Sequence, residues 1–277
     1  MSSSGGAGES RFALHDSATE ALWTKLEEVQ KLLEHQPDAK ELFTRYTVVR
    51  SVVGEVKPVF PDAVRLRVKV FCDEQGFAAE REWDDTDPVS MHVVAYFNYT
   101  LFTEEMQELA VQARLLRSIG MEGSGLRFQR RRRSTTSTAD GEAVSPGGSS
   151  DGAPSVHLPV TESKKYRPAT LIPVGTLRLR RVSKAAEAGT LTEVVAKIER
   201  VCVVKSVRRF DVGRVLMRAA ENIARDAFHV RWAILYAQVI STNFYTKIGY
   251  VLKDGRVFMV GPSEHVVMVR CLADASI

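Results

Sequence analysis

No apolar run in the 277 residues approaches the roughly 18 that a membrane-spanning helix needs, which argues against an integral membrane protein. The N-terminus, Met1 followed by Ser2 to Gly8, lacks the apolar stretch of a secretory signal. The expected setting is therefore the cytoplasm, with the nucleus open. Cysteine is scarce. Cys72, Cys202 and Cys271 are far apart and odd in number, which suits neither a disulfide framework nor a zinc site, and no metal is expected. Charge of one sign is also missing as a global property. The formal net charge is +4, and Arg130, Arg131, Arg132 and Arg133 account for all of it. Such a run is either a solvated loop or a docking segment for nucleic acid or another anionic partner. What is present is ordinary globular composition, 44% hydrophobic and 26% charged, enough to bury a core.

Residues 1–15 have the composition of a disordered tail. Leu22, Leu26, Val29 and Leu33 recur at helical spacing, which predicts an amphipathic helix over 16–38, capped by Asp16 or Ser17 and closed near Pro37. Residues 43–53, rich in β-branched and aromatic types, read as a strand, 61–72 as a helix, and His92 to Phe97 as a second strand. The pattern then breaks. Thr103 to Ile119 fits a helix, and 129–155 is low-complexity and expected to be disordered. The pattern resumes without a new start, so this stretch reads as an insertion, at about 101–172, looping out of one domain over 43–277. Val174 to Val182 and Glu193 to Val204 are expected strands. Arg214 to Phe228 is a helix with Val215, Leu216, Ala219, Ile223 and Ala227 on one face. Trp232 to Ala237 reads as a buried strand, Thr242 to Ile248 as a short helix, and 256–271 as one or two more strands. The expected class is α/β (α+β), a mixed, partly parallel sheet flanked by helices.

The most informative segment is Glu199 to Arg214, where a β-run, a short basic turn and a helix start follow directly. The first amides of a helix have no internal partner and sit at the positive end of its dipole. A strand–turn–helix is thus either an ordinary connection or an anion site suited to a pyrophosphate. Asn243-Phe244-Tyr245 places a tyrosine on a short helix after a buried strand. Val70-Phe71-Cys72-Asp73-Glu74-Gln75-Gly76 leads into an acidic loop with Asp84 and Asp87, and then into the His92 strand.

Taken in this order, these segments resemble the GNAT superfamily of acetyl-CoA-dependent N-acetyltransferases, and most of all its ElaA-like branch. The Val-Phe-x-x-Glu-Gln-Gly motif, Ala237-Gln238, Asn243 to Tyr245, and a Gly-x-x-x-His-x-x-Met ending over Gly261 to Met268 carry the likeness. It covers about 44–100 and 172–271. The resemblance implies a GNAT-type sheet and acetyl-CoA as co-substrate. It also implies that Val201, Cys202 and Val203 offer backbone groups to the thioester and pantetheine. The Arg/Gln-x-x-Gly-x-Gly/Ala pyrophosphate loop falls on Arg208, Arg209, Phe210, Asp211, Val212 and Gly213, next to Arg214. Arg208 and Gly213 match, whereas Asp211 stands where the first glycine belongs and Arg209 replaces a common extra glycine. A carboxylate there opposes a pyrophosphate, and Arg208, Arg209 and Arg214 offset it.

The resemblance makes Tyr245 the expected general acid, with Asn243 and Gln238 near the pantetheine arm. Glu199, on the strand face of Val201 and Val203, is the expected base, and Glu74, Asp84, Asp87 and His92 are its rivals. Cys202, a strand thiol without a nearby histidine in sequence, reads as inert. The implied function is direct acetyl transfer to a primary amine. The alternative is a non-catalytic acyl-CoA-binding or interaction module with the same fold, suggested by the altered glycine loop.

Overall fold

The structure is a computed structural model that describes residues 17–118, 169–184 and 193–272. The expected tail 1–15, the cap Asp16, the low-complexity segment 129–155 and the arginine run 130–133 lie outside the described residues. The chain divides into two compact units. Of the second, 104–168, the described part is 104–118. The first holds everything else.

The helices are α1 (Ser17–Leu33), α2 (Ala39–Arg45), α3 (Val59–Arg67), α4 (Tyr99–Ser118), α5 (Val212–Asp226) and α6 (Thr242–Lys247). The strands are β1 (Thr47–Val53), β2 (Met91–Asn98), β3 (Leu171–Lys184), β4 (Glu193–Val203), β5 (Trp232–Gln238), β6 (Val251–Val260) and β7 (Ser263–Cys271). They form one seven-stranded sheet in the order β1-β2-β3-β4-β5-β7-β6. Every neighbouring pair is antiparallel except β4 and β5, which run parallel across the α5 crossover. This is the mixed α/β fold with a partly parallel sheet that the sequence implies. Among the described residues, no helix is long and apolar enough to cross a membrane.

β2 shows how the sheet is covered on both faces. Side chains alternate along a strand. His92 and Tyr96 reach Arg67 and Asp62 of α3, while Phe97 stacks on Phe43 of α2, which stacks in turn on Phe210. That explains why its six central residues are all buried. The aromatic stack also corrects the expected strand start at 43. Phe43 lies within the short helix α2, which ends at Arg45, and β1 begins only at Thr47.

Two expected helix faces are rotated. In α1 the buried stripe runs through Trp23 rather than Leu22, because the Trp23 indole donates to the Pro173 carbonyl at 2.8 Å. In α5 it is Val212, Leu216, Met217, Ala220 and Ala224 that pack inward, with Val215, Ala219 and Ile223 half-buried and Ala227 exposed. α3 continues into a π-helical turn, Val68–Glu74, a widening that re-aims the chain towards the acidic loop.

Candidate active site

The site begins at an irregularity in β4. Arg178 and Thr176 of β3 lie opposite Glu199 and Cys202, so three steps on β4 match two on β3. The extra residue makes a β-bulge, and Arg200 adopts φ 55° within it. Parallel pairing with β5 is confined to Ala196–Ile198 against Ala233–Leu235 and stops just before the bulge. Beyond it the two strands part. Glu199 to Val203 then face an opening with backbone groups that no strand partner takes up on that side. The opening is a cleft of about 930 Å³, lined by β4, the end of β5, the α5 turn and the acidic loop.

At one end of the cleft, the turn into α5 keeps a left-handed backbone without glycine. Arg209 has φ 80° and Asp211 φ 59°. Such angles cost an L-residue on the order of 1 kcal/mol, less for Asp than for Arg. The first residues of α5, Val212 to Arg214, whose amides have no partner within the helix, line the cleft directly after this turn. Gly213 follows for a steric reason, since a Cβ there would approach Phe244 Cζ at 3.1 Å. Arg208 ties the turn down. Its Nε donates to the Val203 carbonyl at 3.0 Å and its other end pairs with Glu74.

The model of the Acetyltransferase (GNAT) family matches residues 153–250. That stretch, from before β3 to the end of α6, is similar to a GNAT acetyltransferase domain. A Bacillus subtilis protein named, provisionally, as an acetyltransferase is 32% identical over 99 residues, 36% of this chain and 59% of the relative. The uncharacterized N-acetyltransferase YjcF of the same organism is 36% identical over 74 residues, 27% of this chain and 52% of the relative. The chain thus spans little more than half the length of the curated relatives it matches. Among solved structures, Escherichia coli ElaA is 17% identical, with a TM-score of 0.44 covering 81% of this chain and 99% of that one.

Val201, Cys202, Val203, Arg208, Arg209, Asp211, Val212, Gly213 and Arg214 all line the cleft, as do Glu199 and Tyr245. Two expected cofactor residues do not. Phe210 turns away and stacks on Phe43, with ring centroids 5.0 Å apart, so it serves the core. Asn243 is exposed on the outer side of α6, and Ser241 and Phe244 line the cleft in its place. Gln238 lines the cleft and donates to Gln75 Oε1 at 2.9 Å, joining the end of β5 to the loop after the π-helical turn. The Tyr245 phenol is buried. Burial, with the Cys202 sulfur nearby, lifts its proton affinity above the ordinary tyrosine value. It therefore stays protonated. Cys202 is no nucleophile: burial first of all pushes its thiol up to about 12, and its Sγ contacts the Leu66 carbonyl at 3.6 Å.

Glu199 needs correction as the expected base. Its carboxylate is bound by Arg178 at 3.1 Å, Arg180 at 2.8 Å and Lys197 at 2.8 Å. Burial alone would raise its pKa, but the hydrogen bonds from Arg180 and Lys197 and the charge of Arg178 bring it down to about 2. A carboxylate held so low is a poor proton acceptor and a good structural anion. The rivals fare no better. His92 is buried; burial and the Arg67 charge lower it to about 4, and its Nδ1 accepts from Arg67 while Nε2 donates to the Asp87 carbonyl. Asp87 holds Arg67 and Arg178, Glu74 holds Arg208, and Asp84 is kept below the usual carboxylate range, its burial outweighed by Arg178 and Thr86.

A pH dependence follows from Glu199. Its folded pKa lies below the unfolded value, so it stabilises the domain above about pH 4.5, and that contribution fades as pH falls towards 2. In urea titrations, Glu199→Gln should cost clearly more stability at pH 7 than at pH 3, where only part of the contribution is left. An equal cost at both values would mean that the carboxylate's charge does not support the fold.

Sequence reasoning missed one buried carboxylate of the cleft. Glu82 is buried, lines the cleft and meets Arg200 at 3.0 Å. Nothing local marks it, because its partner lies 118 residues away.

Proposed function

We propose that the chain is an acetyl-CoA-dependent N-acetyltransferase that moves the acetyl group directly to a primary amine. The opening between β4 and β5 carries this reading. A thioester with its pantetheine arm can lie along Glu199 to Val203 and hydrogen-bond to backbone groups there, as a missing strand would. The first amides of α5, with Arg208, Arg209 and Arg214 around them, suit the pyrophosphate. Tyr245 then supplies a proton to the sulfur that leaves. Held together, amine and thioester react as one bound pair, and much of the entropic barrier is met on binding.

The acceptor is tested with isotopically labelled acetyl-CoA against peptide N-termini, lysine peptides, polyamines, amino sugars and small amines, read by mass spectrometry. One class should gain an acetyl group. Transfer to none, with acetyl-CoA still bound, would overturn the enzyme reading in favour of an acyl-CoA-binding module.

Asp211→Gly should tighten acetyl-CoA binding about five-fold. The substitution removes a negative charge beside the pyrophosphate site and restores the residue best suited to a φ of 59°. Unchanged affinity in calorimetry would place the aspartate's charge out of reach of the ligand.

A further inference from the structure

We propose that Glu82 is the group that accepts the proton from the attacking amine. This rests on the N-acetyltransferase reading and supplies the base that Glu199 cannot. At the acceptor end of the cleft the carboxylates are Glu80, Glu82, Asp84 and Glu199. Glu199 and Asp84 are taken up by cations, and Glu80 is exposed to solvent. Glu82 differs from all three. Its side chain is 2% exposed, one carboxylate oxygen accepts from Arg200 Nη1 at 3.0 Å, and the other has no hydrogen bond among the described residues.

Its position is fixed from both sides. The Glu82 amide donates to the Ala79 carbonyl at 2.9 Å, and its carbonyl accepts from Arg67 Nη1 at 3.0 Å. Arg200 reaches it from the bulge that opens the cleft, so one irregularity in β4 both makes room for the thioester and orients the carboxylate. The Cys202 thiol feels the Glu82 carboxylate and the Tyr245 phenol feels the Cys202 sulfur, and all three residues line the one cleft. The groups facing Glu82 are Arg67 from α3, Arg178 from β3, Arg200 from β4 and the thiols of Cys72 and Cys202. Burial raises its proton affinity more than those three guanidinium groups lower it. A carboxylate whose proton affinity is raised is a better proton acceptor than one held low, as Glu199 is.

The step balances. The amine nitrogen attacks the thioester carbonyl carbon, a C–N bond forms, and the C–S bond breaks with its electron pair going to sulfur. Glu82 takes the nitrogen's proton and Tyr245 gives one to the thiolate, leaving the acetamide and the free thiol of CoA. Solvent returns a proton to Tyr245 and removes one from Glu82 before the next cycle.

The test is the pH–rate profile of kcat/KM with labelled acetyl-CoA and the best amine of the panel, for wild type, Glu82→Gln and Glu82→Asp. Glu82→Gln should lose about 10²-fold in turnover at pH 7 and lack the wild type's acid limb, with its rate recovering as the amine deprotonates in solution. Its acetyl-CoA affinity should stay within two- to three-fold, on the order expected when no ligand contact is lost. Glu82→Asp keeps a charge for Arg200 but draws the carboxylate back by one methylene, and about a ten-fold loss is expected. If Glu82→Gln fails to fold, the Asp variant decides. A variant with the wild-type rate and acid limb would overturn the assignment and leave the enzyme reading standing. A wild type that acetylates no amine would end both.

Discussion

Tyr245→Phe is expected to lower turnover about 10²-fold, the usual size of a general acid's contribution, with acetyl-CoA affinity and melting temperature almost unchanged. The ring packs against Phe244 at 5.0 Å and Tyr250 at 6.1 Å, contacts that phenylalanine keeps. Only the hydroxyl is lost. Burial keeps that hydroxyl protonated at any pH near neutral, which a donor to a thiolate requires. The variant should also respond to the leaving group, since a more acidic thiol needs less help. Steady-state kinetics with acetyl-CoA and an aryl thioester of acetate makes the comparison. Full activity of the variant would make Tyr245 a packing residue.

The largest expected effect on stability lies behind the site. Asp87→Ala should destabilise the domain by about 3–5 kcal/mol, because it strips a buried cluster of its central anion. Asp87 is fully buried. It accepts from Arg67 at 3.2 Å, from Arg178 at 3.0 Å and from the Asp84 amide at 2.8 Å. Without it, two guanidinium groups, one of them at 0% exposure, sit in the interior short of countercharge. In a thermal melt this amounts to a drop of about 10 °C or more for a domain of this size. A near-native melting point would mean that water or a shifted carboxylate replaces Asp87. Arg178 also binds Glu199, and Arg67 braces Glu82, so the same loss should loosen the acceptor side of the cleft.

The regular elements were legible because periodicity reports burial. The apolar composition of β3 and β4, most of the α1 stripe (Leu26, Val29 and Leu33) and the Glu199 to Arg214 segment point to the right places in the fold. What escaped depends on partners distant in sequence. Phe43 reads as strand by composition but lies in the helix α2, with its ring stacked between Phe97 and Phe210. The stretch 251–255 was missed because β6 lies at the sheet edge, with nearly every residue exposed and no alternation to betray it. The bulge at Arg200 and the left-handed turn at Arg209 and Asp211 carry none of the glycine that normally marks such backbone. Glu199 faces the cleft as alternation implies, yet its chemistry is set by Arg178 and Arg180 on a strand that pairs with its own. Glu82 is marked only by its three-dimensional neighbours.

The central claim is that the parted strands and the α5 turn receive acetyl-CoA. Calorimetric titration of the full chain with acetyl-CoA tests it most directly. One molecule per chain is expected to bind, with affinity weakened by charge reversal at Arg208. No measurable heat at millimolar ligand would contradict the account.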